Sequence, residues 1–205
     1  MIGNAGWSDV QRVYSQVNNP MEEELRKLGY AHWLQSCGSS AAATGMAVVG
    51  WDMVIRCPGD YAPQADQMLN DFLNDPNVYM LLRAAAPWIN PTLVPNNRNA
   101  AHLPVAGLHV FGARGLYWNP LKVDGILDQL RRGRAVQVCI NPPGHYIPIV
   151  AFNEESKQFV YHDPWPGRKA DWNGNGFARE LSPDEVRTIV AEGVVWCPPI
   201  DDAPL

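Results

Sequence analysis

The sequence is short of cysteine, short of charge and free of long apolar runs, and each shortage excludes a class of protein. Its four cysteines, Cys37, Cys57, Cys139 and Cys197, include no C-x-x-C pair, so a zinc ribbon or a thioredoxin-type redox motif is not expected. A chain of 205 residues can build its core without disulfides, and most of the thiols read as small buried hydrophobes. Basic residues number 16 against 21 acidic ones, a formal charge of −5. That is the opposite of the footprint that phosphate backbones require, so nucleic acid is not an expected partner. The first ten residues, MIGNAGWSDV, lack the basic and apolar regions of a secretory signal. The longest weakly polar run, Ala41 to Ile55, is interrupted by Asp52 and is shorter than the roughly 18 apolar residues a membrane helix needs. The expectation is a soluble protein, cytoplasmic or released by lysis. Internal repeats and low-complexity tracts are absent as well.

What is present is globular: 46% hydrophobic and 18% charged residues. The length suits one domain over 1–205, with a helical part over about 1–133 and a β part over about 134–197. Helical spacing covers Ser8–Val17, Met21–Leu28, Pro63–Asn74, Asn77–Ala86 and Leu121–Arg132, the last with Gly133 as its C-cap. Cys37 to about Ile55 is apolar on nearly every face and reads as a buried central helix. Pro87 to Pro104, rich in Pro and Asn, reads as a surface loop. From Ala135 the period changes to strands, in AVQVCI, HYIPIVAF and QFVYHD. Ser182-Pro183-Asp184-Glu185 is a capping box that opens a helix to about Glu192, followed by a short strand over Val194–Cys197. Helices first and sheet second argue for an α+β fold.

The chemistry-bearing residues are spread along this plan. Cys37 opens the buried helix, where unsatisfied N–H groups and the helix dipole favour a thiolate. Gly38, Ser39 and Ser40 are small enough to admit a carbonyl close to the backbone. His145 heads one strand and Asp163 ends the next. With a hairpin loop over Asn153–Ser156, residue i faces roughly 309 − i, which brings His145 to within a step of Asp163. An imidazole oriented by a carboxylate and serving a thiol follows the general logic of a catalytic triad. Gly144 leaves room for approach. Pro148 removes one ladder donor from the His-bearing strand and predicts a sheet edge or a bulge.

The chain resembles the papain-like cysteine peptidases, and within them the group similar to bacteriocin-processing peptidases. The pieces that carry the likeness are Tyr14-Ser15-Gln16 with Asn19, Cys37-Gly38-Ser39-Ser40 with Ala43 and Met46, Leu130 to Val138, Gly144-His145-Tyr146, and Asp163-Pro164-Trp165. The resemblance implies Cys37 as nucleophile, His145 as general base and acid, Asp163 as the orienting residue and Gln16 as an oxyanion donor, with Gln35 as the rival donor. It further implies hydrolysis of a peptide or isopeptide bond through a thioester, with a bacterial cell-wall peptide as the specific substrate expected of a small phage or bacterial member. The same side chains would serve acyl transfer. A non-catalytic binding module on this fold is the other class to be distinguished.

A second motif follows the Asp-Pro-Trp turn. Asp171-Trp172-Asn173-Gly174-Asn175-Gly176-Phe177 matches the first half of an EF-hand-type loop, with Asp171, Asn173 and Asn175 side chains and the Phe177 carbonyl as Ca²⁺ ligands. Position 12 is Ser182, so Glu180 or Asp184 would have to supply the closing carboxylate, and calcium-dependent control of activity is the expectation the motif raises. His32, His102, His109 and His162 lack metal-ligand spacing and read as structural. Trp33, Trp165 and Trp172 fall near the proposed site and could line a groove for a peptide or glycan strand, or simply fill core.

Overall fold

A computed structural model describes residues 1–9, 12–16, 36–51, 65–75, 77–85, 100–119, 122–141, 144–165 and 176–200. Among them the elements run β1 (Ile2–Gly3), a 3₁₀ turn (Ala5–Ser8), α1 (Cys37–Val48), α2 (Ala65–Asn74), α3 (Val78–Ala85), α4 (Leu103–Phe111), β2 (Gly115–Trp118), α5 (Val123–Arg131), β3 (Ala135–Ile140), β4 (His145–Asn153), β5 (Gln158–Tyr161), β6 (Arg179–Leu181), α6 (Pro183–Ile189) and β7 (Val190–Trp196). The strands form one antiparallel sheet in the order β2-β7-β3-β4-β5-β6, and β1 pairs with β4. The fold is α+β, as the segregation of periods predicts.

Alternation along the strands divides the core between the two faces of the sheet. Ala135, Tyr146, Val194 and Trp196 pack with α1 and α2 on one side. Val136, Val138, Ile147, Ile149 and Val195 pack with Ile126 and Leu130 of α5 and Val186 of α6 on the other. Helices therefore cover both faces, and β1 and β2 from the N-terminal part join the sheet. All twelve residues of α1 are buried, which explains a helix with no polar face. Its last carbonyls, Ala47 O and Val48 O, accept hydrogen bonds from the Arg12 guanidinium at 3.0 and 3.3 Å, a favourable cation at the negative end of the dipole.

Trp196 is the largest fully buried side chain among the described residues, and glycines make its space. A Cβ at Gly45 or at Gly115 would come within 2.6 Å of its ring. The indole N–H donates to Gln137 Oε1 at 3.0 Å, and Gln137 Nε2 donates to the Gly38 carbonyl at 3.0 Å. The core thus holds the N-terminal turn of α1 by a buried polar chain.

Several expected elements differ. Among the described residues of the expected helix Ser8–Val17, namely 8–9 and 12–16, no α-helix is formed: a 3₁₀ turn occupies Ala5–Ser8, and residues 14–16 are tied to distant segments. Tyr14 N–H donates to Thr44 Oγ1 and Gln16 N–H to Pro164 O, so these donors are spent on tertiary contacts. The central helix stops at Val48, before Gly50 at φ +100°, and does not reach Ile55. The loop expected to Pro104 gives way to α4 at Leu103, with the proline in its first turn, where a missing N–H costs nothing. The capping box at Ser182 is formed, but its helix ends at Ile189 and β7 begins at once, so helix to Glu192 and strand only from Val194 are both corrected. Pro148 lies on an interior strand, not at an edge, beside a register shift between Ile149 and Ala151. Its carbonyl accepts from His162 N–H, so its missing donor faces the β5 side, where the ladder has already ended. The expected helix over Met21–Leu28 lies outside the described residues.

Candidate active site

Three elements converge on one point. The β4–β5 hairpin turns over residues 154–157 with Asn153 opposite Gln158, two residues out from the 309 − i register. Asp163, two residues past the end of β5, nevertheless meets the histidine: His145 Nε2 is 2.8 Å from Asp163 Oδ1. With Nε2 committed to the carboxylate, the other ring nitrogen is left for the Cys37 thiol, which is within hydrogen-bonding reach of the imidazole. Cys37 stands at the first position of α1 and is 7% exposed. Thiol, imidazole and carboxylate thus form a relay across the junction of helix and sheet.

The electrostatics of His145 follow from this position. Burial alone would push its pKa down, but hydrogen bonds to Asp163 and Cys37 and the charges of both outweigh that and raise it to about 9. The imidazolium is therefore the favoured form near neutrality. Gly144, just before it, has φ +81° and open space where a Cβ would stand, so the strand can turn at His145 and leave its approach clear.

Asp163 is held on every side. Its Oδ1 also accepts from Trp165 N–H at 2.8 Å, its own N–H donates to Gly176 O at 2.7 Å, and Oδ2 is 3.1 Å from Arg179 Nη1. Next to it, His162 is buried and neutral. Its Nε2–H donates to Trp7 O at 2.7 Å, Nδ1 accepts from Ala178 N–H at 3.1 Å, and Phe177 stacks on the ring. Burial draws its pKa down to about 4, against the opposing effect of the Trp7 carbonyl. His109 stacks on Phe72, and His102 is buried; both fit structural roles.

Gln16 is brought to the same turn. Its N–H donates to Pro164 O at 3.0 Å, Ser15 Oγ donates to the same carbonyl at 3.2 Å, and the Gln16 side chain is fully buried with neither amide atom paired among the described residues. A buried unpaired amide costs about 1–3 kcal/mol and points to a partner that arrives later. Gln35, the rival donor, lies outside the described residues.

The rest of the sequence-predicted site fares differently. Asp171, Asn173 and Asn175 of the calcium motif lie outside the described residues, as do His32, Trp33, Trp172 and Cys57. Phe177 is described, with its ring on His162. The two carboxylates that would close the loop are engaged elsewhere: Glu180 accepts from Asn153 and Ser156, and Asp184 pairs with Arg187. Among the described residues no three His, Cys, Asp or Glu side chains are grouped to hold a metal ion. Sequence reasoning missed Arg179. The only signal was a basic residue opposite Tyr161 across a short strand pair, which no local pattern sets apart.

A thiol at the start of a buried helix, facing an imidazole and a carboxylate delivered by an antiparallel sheet, is the arrangement that papain-like cysteine proteases use. Residues 93–182, less than half of the chain, match the family model described as papain-like cysteine protease AvrRpt2. The matched stretch holds His145, Asp163 and Arg179; Cys37 precedes it. The match is to this family and not to the bacteriocin-processing group. No curated protein matches the chain. Among the described residues, no helix is long and apolar enough to cross a membrane.

Proposed function

We propose that the protein hydrolyses a peptide or isopeptide bond with Cys37 as nucleophile, and the observation that carries this reading is the placement of His145 between the Asp163 carboxylate and the Cys37 thiol. With His145 already holding the proton received from the thiol, Cys37 attacks the substrate carbonyl as the thiolate. The developing oxyanion is received by the Cys37 N–H, in the first turn of the helix, and by Gln16 Nε2–H. His145 then protonates the departing amine, leaving a thioester. Water, deprotonated by the same imidazole, releases the acyl group. Asp163 keeps the ring oriented and stabilises its charged form.

The test needs no known substrate. Sub-stoichiometric iodoacetamide near neutral pH, with the adduct mapped by mass spectrometry, is expected to label Cys37 before the other thiols, and His145→Ala is expected to abolish that preference. Uniform labelling would remove the reading. For the finer assignment we propose bacterial cell-wall peptides as substrate. A panel of purified peptidoglycan stem peptides and unrelated polypeptides, offered with and without an amine acceptor, separates this from other proteolysis and from acyl transfer. Calcium control is a proposal supported only by the 171–177 pattern, and the engagement of Glu180 and Asp184 weighs against it. Equal turnover in calcium and in chelator would end it.

A further inference from the structure

We propose that Arg179 is a positioning residue for the reaction, a fixed cation on the outer oxygen of Asp163 that both orients the carboxylate and limits how tightly it holds the proton of His145. The inference rests on the cysteine protease reading above and adds to it a residue that sets the protonation range of the site.

Asp163 is 9% exposed, and a carboxylate that far from water needs compensation. Its two oxygens divide the work. Oδ1 faces His145 and the Trp165 N–H, while Oδ2 faces the Arg179 guanidinium at 3.1 Å. Arg179 is itself held in place, since it also hydrogen-bonds Tyr161, its cross-strand partner. The backbone is bent to deliver it: the preceding residue, Ala178, adopts φ +51°, a left-handed conformation that costs an L-residue about 1–2 kcal/mol. The bend is fixed by the Ala178 N–H bond to His162 Nδ1. A strained residue anchored on one side of the turn and a guanidinium on the other make a built arrangement, not a chance surface pair.

The electrostatic consequence has a definite sign. An unscreened Asp163 would bind the imidazolium more strongly and make His145 a poorer proton donor to the leaving amine. Arg179 is permanently cationic and offsets part of that pull. Among the described residues the other ionisable groups around the pair are Cys37 on α1, Tyr161 on β5, His162 with its ring turned to Trp7 and Ala178, and Glu185 of α6, felt at Tyr161; beyond Cys37 lie Cys139, Tyr146 and Glu192. None of them is a second permanent cation on Asp163. Because the Arg179 side chain is 40% exposed, solvent screens its effect, and the expected shift is modest.

The experiment measures the pH dependence of Cys37 alkylation by iodoacetate, an anion that reacts best while thiolate and imidazolium coexist. Wild type, Arg179→Gln and Arg179→Lys are compared, with thermal melting as a check on folding. For Arg179→Gln the alkaline limb is expected to move up by about 0.5–1 pH unit, and Arg179→Lys is expected to return it most of the way towards wild type. An unmoved or lowered limb in a folded Arg179→Gln protein, or a Lys variant indistinguishable from Gln, would overturn the proposal. If Arg179→Gln does not fold, the Lys variant decides alone: a limb within about 0.3 unit of wild type, set by its retained charge, supports the role, and a larger displacement overturns it. Absence of any pH-dependent Cys37 alkylation in wild type would instead defeat the protease reading itself.

Discussion

His145 Nε2 and Asp163 Oδ1 lie 2.8 Å apart across 18 residues of chain, and this bond fixes which ring nitrogen remains for Cys37. Asp163→Ala removes the acceptor and is expected to lower kcat/KM about 10²-fold or more, with Cys37 still present and the protein folded by circular dichroism. A change below about threefold would show that the bond does not serve the reaction.

The raised pKa of His145 predicts where activity is lost in base. Because the imidazolium is held to about pH 9 by Asp163 and Cys37, a kcat/KM profile is expected to stay level through neutrality and fall as pH rises through about 9. A descending limb near 6.5, the ordinary histidine value, would contradict the geometry.

Gln16 allows stability and activity to be pulled apart. Its buried amide has no partner among the described residues, so Gln16→Leu, of similar size, removes an uncompensated polar group and is expected to leave the melting temperature unchanged or raise it. Activity is expected to fall about 10²-fold or more as one oxyanion donor is lost. A variant that melts earlier and keeps its activity would make Gln16 structural.

His162 links folding to acid. Its folded pKa of about 4 lies below the unfolded value of 6.5, so below pH 6.5 the unfolded chain binds a proton that the folded one refuses. The stability present above pH 6.5 is lost as pH falls towards 4, on the order of 3 kcal/mol in all. Denaturant midpoints measured across that window are expected to fall in wild type and to flatten in His162→Gln.

Gln137 joins Trp196 to the first turn of α1 through two 3.0 Å bonds. Gln137→Leu strands a buried indole N–H and is expected to cost about 1–3 kcal/mol, read as a lower denaturation midpoint. It also frees the helix start that carries Cys37, so slower Cys37 alkylation in the folded variant is the second expected sign.

Much of this was legible residue by residue. The strand Ala135–Ile140 and the start of β4 at His145 follow from the sequence, because β-branched residues run between clear turn signals. Cys37 could be placed at a helix start because small residues follow it. By contrast, α4 was hidden by Pro104, read as the end of a loop when it stands in a first helical turn. The α6–β7 junction was blurred because Val190 follows Ile189 with no turn residue between them.

By itself the sequence determined the local periods, the change from helices to strands and the residue types needed for thiol chemistry, since these depend on neighbours along the chain. Tertiary structure alone decided that Gln16 would be buried unpaired at the Pro164 turn and that Arg179 would claim the second oxygen of Asp163. Both outcomes depend on how distant segments pack and on where each ladder ends. A shift of one or two residues in either reassigns every partner, and no local pattern encodes it.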